Sequence, residues 1–165
     1  MDNGQAGPRE DRLPIHAVLD NLRSAFNVGS IFRTSDAGRI AALHLCGMTP
    51  VPPHPRLLRT SLGAEQHVPW SHEPDPVAAC RALRARGIML VAIETQPGAA
   101  AHTRFDWPRP VALVFGHEVR GIRPDVLGCC DAAVRIPMLG HKNTLNVATA
   151  YGVVLYEILR QWRIV

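Results

Sequence analysis

An α/β fold, with a mostly parallel sheet flanked by helices, is what this sequence predicts, and three observations lead there. Stretches such as IMLVAIE (88–94) and VALVFG (111–116) are continuous apolar runs, the pattern of strands buried on both faces. Along the chain these runs alternate with helical periodicities rather than with hairpin turns. The 165 residues, 47% of them hydrophobic, suit one domain around one substantial core.

The elements can be justified in order. MDNGQAGPREDR is polar, mixes both charge signs and lacks the apolar stretch of a signal peptide. Residues 1–12 therefore read as a loose tail and 13–165 as the single domain. No apolar run is long enough to span a bilayer, so a cytoplasmic protein is expected. IHAVLD (15–20) is a strand entering the loop NLRSAFN. Val28, Ile31, Phe32 and Ser35 share one helical face, with Asn27 as the cap and Gly38 as the stop. ALHLCG (42–47) is the next strand, and MTPVPPHP (48–55) is a loop, because proline cannot donate to a ladder.

RLLRTSLGAEQHVPW reads as a short helix followed by an extended piece. DPVAACRALRARG is the clearest local helix, capped by Asp75, with Pro76 in its first turn and Gly87 past its end. After the buried strand 88–94, PGAAAHTRFDWPRP is a linker, VALVFG a strand, HEVRG a loop and RPDVLGCC a short helical turn. AAVRIPM is the last strand. The closing helix runs from about Leu145 to Trp162, with Val147, Ala150, Tyr151, Val154, Leu155, Ile158 and Leu159 as its apolar stripe.

The formal charge of +4 favours a polyanionic partner, and Lys142 is the only lysine. The rest of the basic residues are arginines, whose forked guanidinium suits phosphates and stacks on bases. Cys46 and Cys80 are isolated and Cys129–Cys130 adjacent, so reduced thiols are expected rather than a disulfide framework. The nearest histidine clusters, His67 with His72 and His117 with Glu118, repeat no ligand spacing, and no metal is expected. His16 and His44 lie within strands and read as satisfied core or edge residues.

In an open parallel sheet, ligands sit beyond the carboxyl ends of the strands. Those ends here are Glu94–Thr95, Gly116–His117–Glu118, and Pro137 through Asn146. Neither a G-x-G-x-x-G nor a G-x-x-x-x-G-K-[ST] fingerprint is present, which argues against a dehydrogenase or a P-loop NTPase. No serine sits in a G-x-S-x-G elbow.

NVGSIFRT (27–34), LVFGHEVRGI (113–122) and IPMLGHKNTLNVATA (136–150) resemble, in order and spacing, the three motifs of the SpoU (TrmH-like) branch of the SPOUT RNA methyltransferases. Each motif is moderately specific, and three in order are strong. The resemblance implies a C-terminal deep trefoil knot, an exception to the rule that chains do not thread their own loops. It also implies S-adenosyl-L-methionine as donor, leaving S-adenosyl-L-homocysteine, and a homodimer with active sites at its interface. The reaction would be methyl transfer to a ribose 2′-hydroxyl of tRNA or rRNA.

Carried onto this sequence, the resemblance makes Arg33, Asn27, Glu118 and Asn146 the catalytic candidates. Arginine keeps its proton in proteins, so Arg33 is expected to grip a phosphate and position the ribose rather than act as base. Thr95, Gly116, Ile136, Met138, Gly140, Thr144 and Leu145 are the cofactor candidates: apolar walls, with main-chain groups for an adenine edge and glycines for close backbone approach. Arg56, Arg59, Arg120, Arg123 and Lys142 are the RNA-binding candidates. The sequence departs from the family pattern at Thr144, where serine is usual, and at His117, where asparagine is frequent. Two other readings compete: an RNA- or cofactor-binding protein of this fold without turnover, and a SPOUT enzyme that methylates a base.

Overall fold

The computed structural model describes residues 11–165. Its strands are β1 (Leu13–Asp20), β2 (Ile40–Cys46), β3 (Trp70–Glu73), β4 (Met89–Ile93), β5 (Ala100–Ala101), β6 (Val111–Phe115) and β7 (Ala132–Arg135). Its helices are α1 (Ala25–Ala37), α2 (Pro55–Ser61), α3 (Pro76–Ala85), α4 (Pro124–Leu127) and α5 (Val147–Gln161), with a 3-10 turn at Ala64–Gln66. The strands form one sheet in the order β3-β2-β1-β6-β4-β7-β5, and every pairing between named strands is parallel. The expected fold class is therefore the observed one. Most of the tail expected over 1–12 lies outside the described residues; Arg12 donates from its guanidinium to the Ile40 carbonyl at 3.0 Å. Among the described residues, no helix is long and apolar enough to cross a membrane.

Both faces of the sheet are covered, which is why its strands read as unbroken apolar runs. Ile15, Ala17 and Leu19 of β1 pack with Val28, Ile31 and Phe32 of α1 and with Val154, Leu155 and Ile158 of α5. Val18, between them in sequence, joins the opposite core with Cys80 and Leu83 of α3 and Val126 of α4. In α1, Gly29 lets α2 come close: a Cβ there would lie 2.1 Å from the Thr60 hydroxyl and 2.2 Å from the Leu57 carbonyl oxygen.

Beyond shifts of one or two residues at strand ends, the structure differs from the sequence reading at α1, in the linker before β6 and around the start of α5. Ser24, not Asn27, caps α1: its backbone is extended and its Oγ accepts from the Asn27 N–H at 3.2 Å. The helix thus starts at Ala25, and the Asn27 amide is left free for other partners. The linker PGAAAHTRFDWPRP contains β5, whose Ala100 and Ala101 pair with Val134 and Arg135 at the sheet edge. The last strand ends at Arg135, so Ile136–Met138 belong to a loop, and α5 begins at Val147 with Asn146 as its cap.

His16 and His44 are satisfied within the sheet: His16 Nδ1 lies 3.1 Å from His44 Nε2, and His44 Nδ1 lies 3.2 Å from Ser71 Oγ. Burial, with help from His44 and Arg86, pushes His16 down to about 4. All four cysteines are free, and burial first of all pushes the Cys46 and Cys80 thiols up to about 12, far from a reactive thiolate.

Helix α5 is pinned to α1 by a hydrogen bond between fully buried side chains, Tyr151 Oη and Ser35 Oγ, 2.7 Å apart. Tyr151→Phe deletes one partner and leaves the Ser35 hydroxyl without its mate, which is expected to cost about 1–3 kcal/mol. Urea unfolding should show a lower midpoint with an unchanged slope. Adding Ser35→Ala should return part of the loss, since both polar groups are then gone.

Candidate active site

The carboxyl ends of β4, β6 and β7 open into a cleft of about 400 Å³. Parallel pairing of β4 with β6 and with β7 brings three loops together there. Ile93, Phe115, Ile136, Met138, Leu145 and Ala150 supply apolar lining, and Glu94, Thr95, Glu118, Asn143, Thr144 and Asn146 supply polar groups. Phe115 is held edge-on by Tyr151, ring centres 5.6 Å apart. Six of the seven cofactor candidates line the cleft: Thr95, Gly116, Ile136, Met138, Thr144 and Leu145.

Gly140 does not. It is exposed, and a Cβ built on it would meet no atom within 4 Å, so no close backbone approach explains that glycine. Gly116 does have a steric reason, but an internal one. Its Cβ would fall 2.2 Å from Ile122 N and from the Gly121 carbonyl carbon, inside its own loop. That loop closes on itself through His117 N–H to Gly121 O (3.1 Å) and Gly121 N–H to His117 O (2.8 Å). Glu94 braces it from β4, its carboxylate accepting from Ile122 N–H at 2.9 Å. In the sequence Glu94 is visible only as the end of a strand; its bracing of this loop comes from the fold.

The His117 departure has a local explanation. Its Nδ1 accepts from the Val119 N–H at 3.1 Å and the Arg120 N–H at 3.2 Å. An asparagine side-chain oxygen makes the same kind of bond to main-chain N–H groups just downstream in an Asx-turn.

A polar chain ties the three motif segments together. Asn146 donates through Nδ2 to Asn27 Oδ1 at 3.0 Å, and Asn27 donates through Nδ2 to Glu118 Oε1 at 3.4 Å. Glu118 also accepts from the Arg23 N–H at 2.9 Å and the Ser24 N–H at 3.0 Å. Asn146 meanwhile caps α5 by accepting from the Ala148 N–H at 2.9 Å and the Thr149 N–H at 3.3 Å. Burial by itself would raise the Glu118 carboxyl, but the main-chain N–H groups, helped by Asn27, together hold it below the ordinary carboxylate value.

Between Ile136 and Leu145, no main-chain group hydrogen-bonds to another group among the described residues. This edge of the cleft offers N–H donors and C=O acceptors beside the apolar side chains of Ile136, Met138 and Leu145. That set of main-chain donors and acceptors fits a heteroaromatic base edge, and the apolar side chains beside it fit the methylene and methyl groups around a sulfonium, which is what S-adenosylmethionine would present.

Arg33 lies elsewhere in the protomer. It is exposed on α1 and lines a separate shallow groove with Ser61, Leu62, Gln66 and His67, part of the TSLGAEQHVPW stretch. Of the RNA-binding candidates, Arg56 lines a groove beside the cleft and Arg120 and Arg123 a third one. Arg123 is ion-paired with Asp125, its Nε donating to Oδ1 at 3.1 Å. Arg59 and Lys142 are exposed and line none of these grooves.

Comparison with known proteins agrees with this architecture. The profile described as "SpoU rRNA Methylase family" matches residues 14–156. A tRNA (guanosine(18)-2′-O)-methyltransferase of Thermus thermophilus is 33% identical over 144 residues, covering 87% of this chain and 73% of the relative. The crystal structure of the SpoU methyltransferase AviRb from Streptomyces viridochromogenes, in complex with the cofactor AdoMet, superposes with a TM-score of 0.85 at 30% identity. It covers 94% of this chain, which spans 64% of the AviRb chain. A structure addressing 2-OH methylation of C/U34 on tRNA superposes with a TM-score of 0.80 at 31% identity, covering 92% of this chain and 97% of that one.

Because the folded protein lowers the Glu118 pKa, the ionised form favours folding. That contribution is present above the ordinary carboxyl range and is lost as pH falls through the lowered value. Glu118→Gln should therefore unfold at lower temperature than wild type at neutral pH. The gap should narrow steadily as the melting experiment is moved into acid.

Proposed function

This chain belongs to the SpoU rRNA methylase family, and we propose that it transfers a methyl group from S-adenosylmethionine to a ribose 2′-hydroxyl of tRNA or rRNA. One observation carries the reading: Asn27, Glu118 and Asn146, drawn from three separated motifs, form a continuous hydrogen-bonded chain at the rim of a cleft lined by both apolar and polar side chains.

When bound, the cofactor supplies an electrophilic methyl group on a sulfonium centre. Ile136, Met138 and Leu145 would exclude water around it, and the unpaired main chain of 136–145 would read its adenine edge. Thr144 keeps the hydroxyl of the usual serine and sits in the cleft lining. Asn27 and Asn146 have their amides fixed by the chain that ends on Glu118, so each holds a defined orientation toward a ribose.

Arg33 does not line the cleft of its own protomer, and this supports a homodimer in which Arg33 of one copy faces the cleft of the other. Exposed apolar side chains on α5 and beyond it, Val153, Tyr156 and Val165, support such an interface. A permanently protonated guanidinium would grip the phosphate next to the target ribose and aim its hydroxyl. Aiming is the larger part of the task, because orientation alone is worth about 7–11 kcal/mol in favourable cases. The knot follows from the same family reading.

Purified protein incubated with labelled S-adenosylmethionine and separate tRNA and rRNA pools, then digested to nucleosides, tests the reading. Label is expected in 2′-O-methylnucleosides. Label in base-methylated nucleosides would favour the base-methylating alternative, and cofactor binding with no RNA labelling the non-catalytic one. Arg33→Ala should reduce transfer by about 100-fold or more while leaving cofactor affinity within about twofold. Wild-type transfer by that variant would remove Arg33 from the mechanism.

A further inference from the structure

Next to the cleft lies a second groove of about 380 Å³, and His117, Glu118 and Val119 form the wall the two share. Its other side is built by the start of α1, through Arg23 and Phe26, and by the residues that open α2, His54 and Arg56. From this geometry we infer that the groove holds the nucleotide adjoining the methylated one, with its base stacked on Phe26 and its phosphate on Arg23 and Arg56. The inference rests on the RNA methyl-transfer reading and adds to it a place for the neighbouring residue of a single-stranded segment.

Phe26 is the first element of the argument. Its neighbours on α1, Ala25 and Val28, are buried, whereas Phe26 remains 42% exposed and faces a groove instead of the core. An exposed aromatic face lining a groove is a stacking platform for any base. Charge is the second. Neither the Arg23 nor the Arg56 guanidinium makes a hydrogen bond or ion pair among the described residues. The groove's one carboxylate, Glu118, already accepts from two main-chain N–H groups and the Asn27 amide. Two guanidiniums that neither Glu118 nor any other described carboxylate engages outnumber the groove's single negative charge and suit a phosphate.

His54 adds a neutral donor. Its Nδ1 accepts the Arg56 N–H at 3.2 Å, which leaves Nε2–H as the donor of that tautomer. An aromatic face, two unpaired guanidiniums and an imidazole N–H match the three parts of a nucleotide: base, phosphate and sugar or base acceptor. The shared wall sets the spacing, because a strand whose ribose enters the cleft past Glu118 runs directly into the groove.

Binding of fluorescein-labelled octa-adenylate, followed by anisotropy at two salt concentrations, tests this without relying on catalysis. Phe26→Ala and Phe26→Leu should each weaken binding about tenfold, while Phe26→Tyr should bind like wild type. Arg56→Gln should weaken binding and lower the salt-dependence slope by about one. Cofactor affinity should be unchanged in all four. Unchanged octa-adenylate affinity in Phe26→Ala, or no octa-adenylate binding by wild type, overturns the inference. So does an altered sedimentation coefficient in Phe26→Ala with its RNA affinity intact, which would assign Phe26 to a protein interface. The underlying reading fails separately, if wild type labels no ribose in either RNA pool.

Discussion

A single carboxylate, Glu118, holds the functional end of this molecule together. It is only partly withdrawn from water, so its worth is geometric more than energetic; charge-assisted bonds from N–H groups fix direction as well as distance. Two of those donors, Arg23 and Ser24, are the last residues before α1, and a third is the amide of Asn27 in its first turn. The start of α1 is thereby bolted to the loop after β6. Asn27 then passes the constraint to Asn146, which starts α5. Remove the carboxylate and three helix and loop termini lose their common reference point.

The sheet makes that bolt possible. Because β1 and β6 are neighbours paired in parallel, the loops leaving their carboxyl ends emerge side by side although they lie nearly a hundred residues apart in sequence. The same parallel logic sets β4 and β7 next to the cleft, so that Glu94 reaches across to brace the loop after β6. Helix α5 closes the arrangement from the other side, where Tyr151 touches both Ser35 on α1 and Phe115 at the cleft. Core packing and site geometry therefore share residues, and a substitution at Tyr151 acts on both.

Much of this was legible in the sequence, for identifiable reasons. Strands covered on both faces must be continuous apolar runs, so β1, β4 and β6 were readable, as was α3 from Asp75, Pro76 and Gly87. β5 was not, because two alanines carry no periodicity and pair only at an edge. The cap of α1 was misplaced because serine and asparagine both favour that position, and only the tertiary partners of Asn27 decide between them. A close backbone approach is what the sequence suggests for Gly140, and the structure has open space there. Arg33 is legible from its motif, but its position away from the cleft of its own chain is set by the fold, which periodicity and spacing do not encode. Glu94 carried a visible signal, a carboxylate ending a buried strand, whose partner lies in a loop 28 residues on.

The loop from Ile136 to Leu145 shows how fixed ends and a free middle work together. Just upstream, β7 pairs with β4 and β5, and the Val134 carbonyl accepts from the Glu94 N–H at 3.0 Å. Downstream, Asn146 is committed to α5 and to Asn27. Between these anchors the main chain has no hydrogen-bond partner among the described residues, so its polar groups meet water. Anchoring both ends reduces the conformational entropy left to lose on binding, while the unpaired groups retain their hydrogen-bonding capacity for the ligand. A loop satisfied internally would be better ordered but would have nothing to offer an adenine edge. A loop free at both ends would offer the same groups at greater entropic cost. The intermediate case combines fixed ends with unspent hydrogen-bonding groups, and the hydrogen bonds of Asn146 and Val134 are what create it.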